Sequence, residues 1–298
     1  MVFDSGNVRE QEGVMLQDEI RKLASSIQNI LRLEPGVTSP SYVDVNNNLA
    51  SIQTTSSHVI FGRRGTGKSA LLNELIKVGT DKKQPTIRID CEDFKNHQFP
   101  DVIVEILRVI FQSLRKEFPI WKFPRLRLKL CQELRRLKTL LESQSQSEKS
   151  IEKENQKGLK VGNSGVGEAL TSSRTTERET LRNTKLELIQ KELPKWKEVL
   201  KTLGDSKPKT NAYFLIVDDF YHLPFRFQPE ITDIIHRLCK GTKLFYKLAT
   251  VRHRTQLYKE IDGQPVGVQI RHDFIPIDLD FSLEKFPSTS KNLRNMMA

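Results

Sequence analysis

The stretch His58 to Leu75, HVIFGRRGTGKSALLNEL, constrains this chain more than any other. Four β-prone residues precede eight that fit G-x-x-x-x-G-K-[ST], and an apolar pattern at helical spacing follows. Strand, glycine loop and helix in that order form a cradle for phosphate. The loop backbone has to wrap around a phosphate with its N–H groups turned inward, and side chains would block that approach. The helix that begins at the loop points its positive end at the same place. Gly62, Arg63, Arg64, Gly65, Thr66, Gly67, Lys68, Ser69 and Ala70 are therefore the candidate nucleotide-binding residues. Lys68 is placed to neutralise β- and γ-phosphate oxygens and the Ser69 hydroxyl to ligate Mg2+, so ATP with Mg2+ is the expected ligand pair. Arg63 and Arg64 fill variable loop positions and face solvent, a neighbouring subunit or nucleic acid.

A second motif, FLIVDDF at Phe214 to Phe220, reads as a buried central strand of a parallel sheet ending in two acids. A carboxylate at that tip can hold a Mg2+ shell, and its neighbour can polarise an attacking water. Asp218 is the candidate metal ligand beside Ser69, and Asp219 the candidate for activating water. With Lys68, these two acids are the catalytic candidates. Without the glycine loop, the same pair would read as a helix cap or a turn. A third strand, KLFYKLATV, is followed by Arg252, His253 and Arg254. Thr250 and Arg252 at its tip are candidates to register the γ-phosphate, against the alternative of solvated cations after a strand.

FGRRGTGKSALL, FLIVDDF and KLATVR, in that order, resemble the Walker A, Walker B and sensor 1 motifs of AAA+-related ATPases, most of all the STAND and origin-recognition branches. The resemblance spans roughly residues 43–254 and implies an α/β P-loop NTPase fold, a three-layer sandwich with a mainly parallel sheet of order 5-1-4-3-2. It also implies a nucleotide switch acting in a homo-oligomer or with a partner effector. An arginine from one subunit would reach the neighbour's γ-phosphate, with Arg254 and Arg271 as candidates. Defence against phage and regulation of a DNA transaction are the roles it suggests. The family core normally continues into a helical lid.

The rest of the chain fits that frame. Strand and helix patterns alternate, the mark of an open α/β sheet. Residues 1–42 form an N-terminal extension with a helix expected over 14–33. Residues 43–142 and 181–281 are the two parts of the ATPase core, and 282–298 read as a tail or the start of a truncated lid. Between them, 143–180 is rich in Ser, Gln, Gly, Thr and charge, a composition that buries too little apolar surface to offset ordering entropy and predicts a flexible insertion. Its GNSGVG lacks both a preceding strand and a following Lys-Ser, so it is no second phosphate loop. A helix is expected from about Thr180, interrupted or kinked near Pro194.

The formal net charge of +11 suits contact with nucleic acid, nucleotide phosphate or an acidic partner. Much of it gathers on a basic helix at 125–138, through Arg125, Arg127, Lys129, Arg135, Arg136 and Lys138, a possible nucleic-acid surface or a solvated face. Cys91, Cys131 and Cys239 are too dispersed for a disulfide framework or a CxxC site. The histidines show no metal-ligand spacing. No apolar run approaches the ~18 residues of a membrane span, and no secretory leader precedes the first strand, so a cytoplasmic location is expected. The function expected is slow ATP hydrolysis driving a molecular switch. A small-molecule or nucleic-acid kinase, and a module that binds ATP without turnover, are the alternatives.

Overall fold

The computed structural model describes residues 44, 47–82, 84–158, 167–207 and 210–280, without side chains over 143–178. All but Asp44 belong to one compact unit, Asn46–Pro287. The expected helix at 14–33 and the segment 282–298 lie outside the described residues. Thirteen elements matter here. They are α1 (Asn48–Ile52), β1 (His58–Phe61), α2 (Lys68–Asp81), β2 (Thr86–Asp90), α3 (Asp101–Glu117), α4 (Pro124–Gly158), α5 (Gly167–Ser206), β3 (Tyr213–Asp218), α6 (Gln228–Cys239), β4 (Leu244–Thr250), β5 (Tyr258–Ile261), β6 (Gln264–Gly267) and β7 (Ile275–Asp278).

Five strands form one sheet in the order β2-β3-β4-β1-β7, and every neighbouring pair is parallel. Parallel strands need helices on their faces, which is why β1, β3 and β4 carry almost unbroken apolar runs. Alternation along each strand sorts the side chains into two sets. Val59, Phe61, Ile87, Ile89, Leu215, Val217, Tyr246 and Leu248 join the main apolar cluster with residues of α3, α5 and α6. The intervening positions, among them His58, Ile60, Arg88, Ile216, Asp218 and Lys247, point to the other face, where α2 lies.

Two helices frame the segment expected as an insertion: they extend into 143–180 from both sides, α4 reaching Gly158 and α5 beginning at Gly167. α5 runs without interruption through Pro194. Trp196 and Leu193 bury one face of this stretch in the main cluster, and Trp196 Nε1 donates to Glu133 of α4 at 3.1 Å. Packing of that kind overrides one lost backbone hydrogen bond. A hairpin of β5 and β6 follows β4 and pairs Ile261 with Gln264 across Asp262-Gly263. Both turn residues have positive φ, 50° and 73°, as a two-residue Asp-Gly turn requires.

Candidate functional site

The site forms where β1 and β3 reach the carboxyl edge of the sheet and α2 begins. β1 is held between β4 and β7, and the Gly62 N–H donates to Thr250 O at 3.2 Å, fixing where the loop leaves the sheet. Gly65 and Gly67 have φ of 85° and 86°, left-handed values that glycine takes without strain. Gly62 is needed for another reason. A Cβ there would run into the Thr66 hydroxyl and press on Leu279 and Lys68. Thr66 Oγ1 instead donates to Arg63 O at 2.9 Å, closing a turn. The loop then feeds α2, whose first N–H groups, those of Lys68, Ser69 and Ala70, have no carbonyl one turn behind them within the helix.

Lys68 is 5% exposed and folds back over the loop, donating to Gly62 O at 2.9 Å and Arg63 O at 2.8 Å. Burial lowers its pKa, opposed by the charges of Asp219, Asp218 and Asp280. This is an ammonium held among acids by two neutral carbonyl acceptors, an arrangement suited to receiving an anion.

Asp218 ends β3 on the α2 face and is 2% exposed. Its carboxylate accepts a hydrogen bond from the Asp219 N–H at 3.0 Å and one from Arg88 Nη2 at 3.3 Å, with Ser69 close enough to act on its pKa. Burial, then the Asp219 charge, raise its pKa, while Arg88 and Ser69 pull it back. A buried carboxylate persists only when so partnered. Asp219 takes a left-handed backbone, φ 48°, that turns the chain sharply into the helical turn Phe220–His222. Its pKa is raised by burial against the opposing charge of Lys68. Ser69, Lys68, Asp218 and Asp219 thus lie together at the carboxyl edge of the sheet.

Thr250 and Arg252 are brought to the same edge but engage elsewhere. The Thr250 hydroxyl bonds to that of Thr255, and Arg252 Nη2 meets Asp278 Oδ2 at 2.8 Å with its guanidinium 4.2 Å from the centre of the Phe61 ring. The cause is strand parity, because Thr250 pairs with Phe61 and shares its face, opposite Asp218. Arg254 lies over the Tyr221 ring at 5.5 Å, and Arg64 also bears on Tyr221 electrostatically. Arg271 sits in the turn before β7, donating its N–H to Phe274 O at 3.0 Å.

Four contributors escaped the sequence reading. Arg88 on β2 bridges Asp218 and Asn73, whose Oδ1 lies 2.6 Å from Nη1. Asp90 is directly opposite Asp218 in the β2–β3 register and raises its pKa. The only sequence signal for it was a second strand, TIRID, that also ends in an acid. Asp280, just past β7, accepts the Arg63 N–H at 2.9 Å and so props the loop from the strand beside β1.

Gly62 without room for a Cβ, two left-handed glycines and the Lys68 hook fit a bound phosphate chain. Among the described residues no group of three or more His, Cys, Asp or Glu could hold a metal ion. Asp218 and Ser69 therefore fit a Mg2+ ion only as a partial shell, to be completed by phosphate oxygens and water. No family model matches the chain, and no curated protein matches it.

Proposed function

We propose that the chain binds ATP with Mg2+ at Gly62–Ala70 and hydrolyses it slowly as a molecular switch. The observation that carries the reading is Lys68, buried and folded over the glycine loop, with Asp218 and Asp219 at the tip of β3 acting on it electrostatically. The strand order supports it: read from the β7 edge the sheet runs β7-β1-β4-β3-β2, compatible with the expected 5-1-4-3-2 when the β5–β6 hairpin is left out of the count.

In this reading the loop N–H groups and the start of α2 bind the phosphates, and Lys68 exchanges its two carbonyl contacts for phosphate oxygens. Mg2+, held by Ser69 and Asp218, would supply charge neutralisation of the phosphate oxygens. Arg88 keeps Asp218 ionised and fixes its orientation. Asp219, whose pKa burial raises, accepts the proton of the attacking water. Arg252 is committed to Asp278 within its own subunit, so a cation for the γ-phosphate has to come from a rearranged side chain or a second copy. Such a cation is worth roughly 10³–10⁵ in rate, which makes the isolated chain slow.

Nucleotide binding by calorimetry and release of inorganic phosphate, measured on one preparation over a range of protein concentration, test this. Asp219→Asn should retain ATP binding and lose phosphate release, and the specific rate should climb with concentration. Phosphate release equal in Asp219→Asn and the parent would show a module that binds without turnover. Product formation that depends on an added hydroxyl acceptor would show a kinase.

A further inference from the structure

The basic residues of 125–138 do not share one face. Arg127 turns inward and donates to the carbonyls of Arg115 at 3.2 Å and Phe118 at 3.3 Å, joining the two ends of the α3–α4 connection. Arg136 reaches Glu133 at 2.9 Å and Glu192 of α5 at 3.7 Å. Arg135 and Lys138 instead face α3, where Arg108 and Arg115 meet them across a cleft of about 530 Å³. Glu105 and Glu142 also line it. Glu105 is engaged by Arg108 at 2.6 Å. Glu142 lies 3.5 Å from Lys138 in an exposed pair, the kind that contributes little and exchanges readily. Arg115 and Arg135 form no ion pair among the described residues, so the cleft keeps two positive charges in excess.

We propose that this cleft binds the phosphodiester backbone of a nucleic acid. Four cations from two helices converge on a space that contains none of the residues of the ATP site. Arg108 and Arg115 are two helical turns apart, roughly 10 Å at 1.5 Å per residue. A nucleic-acid strand carries one charge per ~3.4 Å of axis, so a single strand presents several phosphates over that length. A small anion would satisfy only one end of the cleft. Guanidinium groups are also the cations best suited to grip phosphate through paired hydrogen bonds. The inference stands independently of the ATP reading, since it needs neither nucleotide nor metal.

The test is fluorescence anisotropy of the full chain, without nucleotide, with a labelled single-stranded oligothymidylate and a labelled duplex, from about 50 to 200 mM KCl. Arg115→Ala/Arg135→Ala should weaken the oligonucleotide about tenfold or more. It should also make the slope of log affinity against log salt shallower by about 1.4 for the single strand. Lys201→Ala/Lys240→Ala removes the same charge from exposed positions outside the cleft and should leave most of the affinity. Arg135→Glu alone changes an exposed side chain and should act in the same direction as the double variant without disturbing packing. Absence of binding by the parent at low salt, or equal losses in the cleft and control variants, would overturn the proposal. So would a cleft variant that loses affinity for AMP, used as a competitor, while holding the oligonucleotide unchanged, because that outcome assigns the cleft to free nucleotide.

Discussion

Two buried lysines stand at opposite ends of the β1–β4 strand pair, and their surroundings make them different groups. Lys68, at the carboxyl edge, donates to two loop carbonyls with Asp218, Asp219 and Asp280 acting on it electrostatically. Lys247, fully buried and paired with His58 in the β1–β4 register, donates to Thr54 O at 2.9 Å and to Ser56 O at 2.6 Å, with Nζ 3.0 Å from His58 Nδ1 and 4.6 Å from the centre of the Phe214 ring. The two carbonyl acceptors favour its ammonium form, but burial prevails and brings its pKa down to about 7. One lysine is kept charged by acids beside a loop of left-handed glycines. The other is a structural clamp that ties the α1–β1 connection to the sheet. Burial alone therefore does not mark a functional lysine, whereas the signs of the neighbouring charges and the freedom of its acceptors do.

The largest expected effect sets the two apart by stability. Lys247→Ala removes a filled core volume and strands two carbonyls and an imidazole, so it should destabilise the fold by about 3–5 kcal/mol in denaturant titration. Lys68→Ala should move stability by no more than about 1 kcal/mol, yet weaken ATP roughly 10- to 100-fold by calorimetry, through loss of charge-assisted hydrogen bonds. A Lys68 variant as unstable as the Lys247 variant would erase the distinction.

The next effect is on pH dependence. Lys247 has a folded-state pKa near 7 against 10.5 for an ordinary lysine, so the unfolded chain binds more protons in between. The stability contributed by the neutral amine is fully present above about 10.5 and is lost as pH falls towards 7. His58, lowered to about 4 by burial and then by Lys247, adds a further loss as pH falls from 6.5 to 4. Unfolding free energy should therefore rise with pH across the upper window by about 1.4 kcal/mol per unit at most from this one group. Lys247→Met should flatten that rise, and an unchanged profile would show that the amine stays protonated in the fold.

The smallest effect concerns Asp280. Asp280→Ala frees the Arg63 N–H and removes one acid acting on Lys68, so stability should drop by about 1 kcal/mol. Asp280→Asn keeps an acceptor for that N–H while removing the charge. If the carboxylate acts only as a prop for the loop, the Asn variant should bind ATP at least as well as the parent, read by the same calorimetry.

Local chemistry made much of this molecule legible. Glycine spacing, apolar runs and Pro229 in the first turn of α6 each act over a few residues, and they place β1, α2, β3, α6 and β4. The β5–β6 hairpin turns on Asp262-Gly263 between Ile261 and Gln264, but the run after Arg254 lacks the clean alternation that marks a strand. Composition in 143–180 speaks to packing and not to backbone. Polar sequence disfavours a packed core but does not forbid helical backbone, and α4 and α5 extend into it from well-packed stretches.

By itself the sequence determined a glycine-rich loop between strand and helix, a buried strand ending in Asp218 and Asp219, and a lysine and a serine at the start of the helix that follows the loop. Only the tertiary structure decided that Arg88, Asp90 and Asp280 surround that loop, that Arg252 turns to Asp278, and that Arg135 and Lys138 face Arg108 and Arg115 across a cleft. Strand order, register and parity bring distant residues face to face, and those are settled by the burial of whole sheet faces. No short stretch of chain carries that information.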